Sequence, residues 1–168
     1  MLELDIKIFR IINNLAEKSG FWDKFFIYGT RYSILIFSVI LVLYLFKRRR
    51  VFWTALLSAA LSRGIFTELI RYFYHRKRPF VALPDVKLLI EKNGLEASFP
   101  SGHAAYMFAI AFAVWLFNRK IGAILIIAAL ILSFGRVYVG VHYPGDILGG
   151  IAVAAISVLA VRSFRRRA

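Results

Sequence analysis

Five apolar stretches have the composition of membrane-spanning helices, although the third is short and follows a long loop. They cover Ile27–Phe46, Val51–Tyr74, Ala104–Phe117, Ile121–Val139 and Asp146–Val161. A chain inside a bilayer must pair its own backbone N–H and C=O groups, so runs of this kind are expected to be helical. The pattern predicts an all-α polytopic membrane helix bundle with about five transmembrane helices.

The N-terminal segment shows a different pattern, with apolar residues at helical spacing and charged residues on the opposite side. Its apolar positions are Leu2, Ile6, Phe9 and Ile12, flanked by Ile8, Ile11 and Leu15. Lys7, Arg10 and the pair Asn13-Asn14 make it a poor spanning helix. Residues 1–20 are therefore predicted to form an interfacial amphipathic helix. An aromatic belt at a membrane surface follows, at Phe21, Trp22, Phe25, Phe26 and Tyr28.

A loop at residues 74–103 separates the second and third apolar stretches. Loops of this length are usually functional or disordered, and we expect a short helix over Val86–Lys92 within it. We find no internal repeat or low-complexity segment, so residues 1–168 are interpreted as a single membrane-embedded domain.

Composition narrows the class of protein. The chain is 60% hydrophobic, above the roughly half that is typical of soluble domains. It contains no cysteine, which excludes disulfides and thiolate metal sites. The net charge of +14 could indicate nucleic acid. In a membrane protein it is better explained by residues that anchor loops and bind anions, so no nucleic-acid partner is predicted. The charged N-terminus argues against a signal peptide.

The basic residues indicate an orientation. The segments Lys47–Arg50, Asn118–Lys120 and Arg162–Arg167 together hold ten cationic residues and no acidic one. The positive-inside rule places them in the cytoplasm. Alternation of the helices then places the 74–103 loop at the outer, periplasmic face of a bacterial-type inner membrane.

The sequence Ser98-Phe99-Pro100-Ser101-Gly102-His103 directly precedes the third apolar stretch. Pro, Ser and Gly are typical of turns and helix starts. Ser101 and Gly102 are therefore expected where the unpaired N–H groups of a helix can bind an anion. His103 stands beside them and can exchange a proton near neutral pH. On its own, such a sequence is more often an ordinary helix cap.

Two further segments strengthen the phosphate hypothesis. With His103 they supply three arginines, two histidines and one carboxylate, at Arg71, Arg78, Arg136, His103, His142 and Asp146. Arginines offer forked donors to phosphate oxygens. His142 and Asp146 are four residues apart, so Asp146 could hold one ring nitrogen while the other attacks phosphorus. The competing interpretations are interfacial anchors for the arginines and a helix cap for Asp146.

These segments resemble the signature of the type 2 phosphatidic acid phosphatase superfamily, which contains integral-membrane lipid phosphatases, with glucose-6-phosphatase and vanadium haloperoxidases as relatives. Its pattern is Lys-x6-Arg-Pro, then Pro-Ser-Gly-His, then Ser-Arg-x5-His-x3-Asp. This chain departs from the pattern at Arg71, where the family has Lys, and at Gly135, where the family has Ser. The matching blocks span nearly half of the chain, from Arg71 to Asp146.

The resemblance implies a role for each motif residue. His142 would be the nucleophile that forms a phosphohistidine, Asp146 its orienting partner and His103 the general acid. The phosphate would be bound by Arg71, Arg78, Ser101, Gly102 and Arg136. The family needs no metal or cofactor, and three arginines at one place would make a divalent cation redundant.

The expected function is metal-independent hydrolysis of a membrane lipid phosphate or diphosphate at the outer face. Candidate substrates are the 1-phosphate of lipid A, phosphatidylglycerol phosphate, undecaprenyl diphosphate and phosphatidic acid. Members that act on undecaprenyl diphosphate often carry Asp at the position of Gly102, which favours a glycerophospholipid or lipid A phosphate here. The alternatives are a lipid-to-lipid phosphotransferase and a non-enzymatic transporter of phosphate lipids. The sequence indicates no oligomeric state.

Five further charged or titratable positions lie near the first motif. Arg76 and Lys77 are interpreted as interfacial anchors, and His75 as a surface residue. Glu68 lies three residues before Arg71 and is expected to pair with it. Arg63 lies near the middle of the second stretch, where a charge is functional by default, but the sequence names no partner for it.

Overall fold

The computed structural model describes residues 2–44 and 46–167, so Met1, Leu45 and Ala168 lie outside the described residues. Its helices are α1 (Leu2–Asn13), α2 (Gly20–Val39), α3 (Arg49–Ala59), α4 (Thr67–Phe73), α5 (Pro79–Ala82), α6 (Gly102–Trp115), α7 (Arg119–Tyr138) and α8 (Pro144–Arg167). Wider π-helical turns at Ile40–Tyr44 and Ala60–Phe66 extend α2 and join α3 to α4. The all-α prediction is confirmed, and the described ranges contain no strand.

Three helical segments are long and apolar enough to cross a bilayer: Gly20–Leu43, Arg119–Tyr138 and Pro144–Arg165. The predicted ends were less accurate than the predicted helices. The first predicted span corresponds to α2, which begins at Gly20 rather than Ile27, because the aromatic belt is part of this helix and does not precede it. The last begins at Pro144 and runs past the predicted end at Val161.

Helix α6 lies at the centre of the bundle and packs against α2, α3, α7 and α8. Its 14 residues span only about 21 Å, less than the hydrocarbon core of roughly 30 Å. Small side chains at Ala104, Ala105, Ala109, Ala111 and Ala113 are fully buried and allow the neighbouring helices to approach closely. Because protein surrounds it, α6 has little contact with lipid, and a short helix is sufficient.

The continuous rod Arg49–Phe73 corresponds to the second predicted span and carries three charged residues in its last part. In its π-helical section, the hydroxyl of Thr67 donates to the carbonyl of Ser62 at 2.8 Å. The hydroxyl of Ser62 donates in turn to the carbonyl of Ala105 in α6 at 3.0 Å. Turns of this kind often occur at functional sites, and this one leads directly into the first motif.

Helix α1 packs on the end of the bundle where α7 ends and α8 begins. Phe9 is buried against Tyr143, with ring centroids 5.5 Å apart. Asn13, predicted on the polar face, is 2% exposed and donates to the carbonyl of Tyr138 at 2.8 Å. The amphipathic helix is therefore present over Leu2–Asn13, but protein covers one of its faces.

The short helix expected over Val86–Lys92 is absent, and that prediction was wrong. The only helical turn that the structure describes between residues 74 and 101 is α5. The 86–92 segment is not helical, because its backbone N–H groups bond to distant partners. Lys87 N–H donates to the side chain of Asn13 at 3.0 Å, and Leu89 N–H donates to the carbonyl of Val139 at 3.2 Å. Gly140, at φ +86°, permits this contact, since a Cβ there would lie 2.6 Å from the carbonyl oxygen of Lys87.

Candidate active site

All three motif segments meet at one end of the bundle, where α4 and α7 finish and α6 and α8 start. Arg71 is in the last turn of α4, and Arg136 is near the end of α7. Arg78 precedes α5, which begins at Pro79. The rod that ends with α4 and helix α7 both finish at this end, and α6 and α8 both start here, so segments far apart in the sequence converge.

His142 lies in the connection between α7 and α8 and is 1% exposed. Its Nδ1 is 3.3 Å from Oδ2 of Asp146, and its Nε2 is 3.4 Å from a terminal nitrogen of Arg78. A guanidinium can only donate, so Nε2 accepts and Nδ1–H donates to Asp146. This tautomer leaves the lone pair of Nε2 on the side of the arginines, as a nucleophile requires.

Burial makes the neutral form of this imidazole the stable one. It lowers the pKa of His142 to about 3, although the hydrogen bond with Asp146 favours the charged form. At neutral pH the free protein therefore holds His142 uncharged, with its ring orientation set by Asp146.

Asp146 is fully buried at the start of α8 and is saturated with donors. Its Oδ2 accepts from the hydroxyl of Ser98 at 2.5 Å and from the N–H of Tyr143 at 2.9 Å. Its Oδ1 accepts from Arg76 at 2.8 Å. Interpreting Arg76 as an interfacial anchor was therefore wrong, because this arginine is the ion-pair partner of the buried carboxylate.

Arg78 is 1% exposed and is clamped by the loop around it. It donates to the carbonyl of Val141 at 3.1 Å and to the carbonyl and carboxylate of Glu96 at 3.2 and 3.1 Å. Burial lowers its pKa from the ordinary value, with Glu96 opposing the shift. Sequence reasoning did not find Glu96, because it lies in the loop without a recognisable spacing to Arg78.

Arg71 donates to the carbonyl of Pro100 at 3.0 Å and so reaches the start of α6. The expected pair with Glu68 is present at 3.3 Å. Glu68 also pairs with Arg63, which gives the intramembrane arginine the partner that the sequence could not name. The side chain of Arg63 lies across Gly102, where an added Cβ would be 2.6 Å from Nε.

The start of α6 has the capped geometry that its sequence predicts. The hydroxyl of Ser101 accepts from the N–H of Ala104 at 3.4 Å, and the N–H of Ser101 donates to the carbonyl of Asp146 at 2.9 Å. The second bond ties the α6 N-terminus to the His142–Asp146 pair, so the predicted anion site and His142 share one backbone frame.

Arg136 is 3% exposed, and its buried Nε has no acceptor in the part of the chain that the structure describes; the same holds for Nε of Arg71. Buried N–H groups are normally paired. Two unpartnered guanidinium nitrogens at one site therefore indicate a place prepared for an anion.

Arg136 and His103 line a cavity of about 460 Å³ whose other walls come from α2 and the 86–92 segment. Its further lining residues are Ile27, Thr30, Arg31, Leu89, Ile90, Glu91 and Lys92. Sequence reasoning did not select Arg31 or Lys92. For Arg31 a signal existed, since it is a charge inside the predicted span Ile27–Phe46.

The described residues contain no group of three or more His, Asp or Glu side chains that could hold a metal ion. The cations that converge on the site are all arginines and a lysine. Any charge neutralisation of a bound phosphate by the described residues therefore comes from these side chains and from helix N–H groups.

Comparison with known proteins agrees with this geometry. The sequence model of the PAP2 superfamily matches residues 52–168. The chain is 35% identical to undecaprenyl-diphosphatase BcrC of Bacillus subtilis over 91% of this chain and 80% of that one. Among solved structures, Aquifex aeolicus LpxE has a TM-score of 0.81 at 28% identity, covering 95% of both chains. The first transmembrane PAP2-type phosphatidylglycerolphosphate phosphatase of Bacillus subtilis shares the fold, with a TM-score of 0.72 at 19% identity over 99% of this chain and 86% of that one.

Proposed function

The chain belongs to the PAP2 superfamily and is a membrane lipid phosphatase, and we propose that it removes the terminal phosphate of a lipid phosphate or diphosphate through a phosphohistidine on His142. The reaction needs no metal and takes place at the outer face of a bacterial-type inner membrane. The observation that carries the proposal is the position of Nε2 of His142, unprotonated and facing Arg78 while Asp146 holds Nδ1.

In the first step, Nε2 of His142 attacks phosphorus and the bond to the leaving oxygen breaks. The electron pair of that bond stays on the leaving oxygen, which takes a proton from His103. This imidazole is protonated once the phosphate anion is bound beside it, because a neighbouring negative charge favours the charged form. Arg71, Arg78 and Arg136 neutralise the oxygens of the phosphoryl group as it transfers. Asp146 stabilises the positive charge that develops on the imidazole ring.

In the second step, water attacks the phosphohistidine. His103, now neutral, takes the proton from the water, and the bond between phosphorus and Nε2 breaks. Inorganic phosphate leaves, and both histidines return to their starting states. The second step uses the same groups in reverse, so no additional residue is required.

The cavity supports a diphosphate as the preferred substrate. In a lipid diphosphate the leaving group is itself a phosphate, which would lie beyond His103. Arg31 and Lys92 line the same cavity as His103, against one carboxylate, Glu91. These cations favour a diphosphate, whereas the presence of Gly102 in the sequence favoured a glycerophospholipid or lipid A phosphate. Ile27, Leu89 and Ile90 provide an apolar wall for the first carbons of the lipid.

Phosphate release from defined lipids tests the proposal. Purified protein in detergent, with EDTA present, should release inorganic phosphate from a polyprenyl diphosphate faster than from phosphatidic acid or phosphatidylglycerol phosphate. Transfer of phosphate to a second lipid would identify a phosphotransferase, and an intact ester would support a transporter. Loss of activity in EDTA with recovery on adding a divalent metal would contradict the metal-independent mechanism.

The covalent intermediate has its own test. Rapid quenching with radiolabelled substrate should trap an acid-labile, base-stable phosphoprotein in the wild type and none in His142→Gln. A His142→Gln protein that stays folded and retains activity within about tenfold would exclude the nucleophile, because its loss should cost several orders of magnitude.

A further inference from the structure

Asp5 of helix α1 contacts two groups directly beside the His142–Asp146 pair. Its Oδ2 accepts from Arg76 at 2.6 Å, and its Oδ1 accepts from the N–H of Gly145 at 2.7 Å. Gly145 directly precedes Asp146. The side chains of Asp5 and Arg76 are each only 13% exposed. The largely buried carboxylate of Asp5 thus bonds both to Arg76, which pairs with Asp146, and to the backbone N–H next to Asp146.

Arg76 is held on three sides. One terminal nitrogen donates to Asp5 at 2.6 Å and the other donates to Asp146 at 2.8 Å. The plane of the guanidinium lies over the ring of Tyr143, 3.9 Å from its centroid. Phe9 of α1 packs against that same ring. The planar fork of arginine suits such a fixed bridge between two carboxylates.

Charge favours the same arrangement. Burial opposes the cation, but the carboxylates of Asp146 and Asp5 outweigh it and raise the pKa of Arg76 above its usual value. If Asp5 lost its charge, Asp146 would be the one carboxylate left to Arg76 in this cluster. The guanidinium of Arg76 would then be free to rotate, and Oδ1 of Asp146, which is bonded to it, would shift with it.

We infer that Asp5 is a positioning residue for the attacking histidine, because it fixes Arg76 and the N–H of Gly145 and thereby aims Asp146 at Nδ1 of His142. The inference rests on the proposed role of His142 as nucleophile. It also gives α1 a part in the reaction, although α1 lies before residue 52, where the match to the superfamily begins.

The effect of Asp5 is expected on the rate of attack, because its bonds lead to Asp146 and neither Asp5 nor Arg76 lines the cavity that holds His103 and Arg136. Both residues line a second, apolar cavity beside Tyr74 and Phe99, so KM is the readout that separates positioning from substrate binding there. Misplacement of a reacting group by about 1 Å can cost on the order of 100-fold in rate. Loss of the Asp5 charge should therefore lower kcat by about 10-fold to 100-fold and leave KM within about twofold.

The test compares Asp5→Asn with Glu3→Gln, an exposed carboxylate on the same helix. Asp5→Asn should lower kcat and slow phosphohistidine formation in single-turnover quenching, and Asp5→Glu should restore part of the rate. Because attack itself is slowed, the loss should be equal on a lipid phosphate and on p-nitrophenyl phosphate. Glu3→Gln should behave like the wild type.

Gly145→Ala gives a second route to the same effect. A Cβ at this position would lie 2.8 Å from Oδ2 of Asp5, so the carboxylate must move while its charge remains. This variant should reproduce the kcat defect even if Asp5→Asn folds poorly.

Two outcomes would overturn the inference. One is wild-type kcat in both Asp5→Asn and Gly145→Ala. The other is a defect confined to melting temperature or to KM, which a purely structural anchor for α1 would produce. If His142→Gln is inactive while the Asp5 variants are normal, only this inference fails. If His142→Gln is active, the proposed function fails as well.

Discussion

Replacing Arg136 by methionine should stabilise the ligand-free protein while it removes the activity. Arg136 is 3% exposed near the end of α7, and its Nε has no acceptor among the described residues. The ligand-free fold therefore holds a buried cation that is incompletely compensated. A substrate phosphate would supply the missing acceptors, so the arginine is unfavourable for stability and favourable for function.

The size of the effect follows from these contacts. A buried donor without a partner costs about 1–3 kcal/mol, and replacing buried ionic groups by packed apolar ones can stabilise a fold by roughly 1–4 kcal/mol. Methionine keeps most of the volume of the arginine stem. We therefore expect a gain of about 1–3 kcal/mol without ligand, with Tm rising by about 2–4 °C for each kcal/mol. Removing a preorganised charge contact should lower kcat by about 100-fold to 1000-fold.

Thermal unfolding in detergent and phosphate-free buffer, with and without orthovanadate, measures both sides of this prediction. Orthovanadate at about 100 times its Kd should stabilise the wild type by roughly 2.7 kcal/mol and should have little effect on Arg136→Met. The order of the two melting temperatures should therefore reverse on adding the anion. Lys120→Met, at an exposed position of the same helix, is the matched control and should change stability by less than about 0.5 kcal/mol.

The reasoning would be refuted if Arg136→Met were less stable than the wild type in the absence of anion. That result would mean that the guanidinium stabilises the fold by itself. Arg136→Lys keeps a buried charge but loses the fork, so it should show the activity loss without the gain in stability.

Four further predictions concern other residues of the site and the orientation. His103→Ala should lose far more activity on a lipid phosphate than on p-nitrophenyl phosphate, whose leaving group needs little protonation; equal losses would remove the general-acid role. Burial lowers the pKa of His142 from 6.5 to about 3, so the folded protein binds fewer protons than the unfolded chain between these values. This contribution to stability is fully present above pH 6.5 and is lost as the pH falls toward 3. The unfolding free energy of His142→Asn should therefore decline less steeply on acidification than that of the wild type. Parallel curves of unfolding free energy against pH would contradict the burial of a neutral His142. Arg31→Gln should lower kcat/KM on a lipid diphosphate by about tenfold more than on a monophosphate, since a charge-assisted contact is worth about 1.5–3 kcal/mol; an unchanged ratio would argue against a subsite for the second phosphate. A cysteine placed within Val81–Lys92 should react with an impermeant thiol reagent in intact spheroplasts and one at Arg49 should not, and the opposite pattern would reverse the orientation.

Local features of this protein were readable from the sequence. The apolar runs predicted the helices, because a bilayer-spanning segment must satisfy its own hydrogen bonds. The spacing of three between Glu68 and Arg71 predicted their ion pair, and the spacing of four between His142 and Asp146 predicted their contact. The Ser101 cap followed from the Pro-Ser-Gly sequence before an apolar run. Each of these depends on residues within one helical turn, where periodicity alone determines which side chains meet.

Only the tertiary structure decided the long-range partners. Arg76 and Asp146 are 70 residues apart, and Asp5 and Gly145 are 140 apart. The contact of Arg63 with Gly102 and the non-helical path of residues 86–92 also depend on distant segments. Loop and helix-end charges follow no period, so their spacing carries no information about which helix ends converge. Those partners are determined when the bundle assembles around α6 and brings α1 and the ends of α4, α7 and α8 to one place.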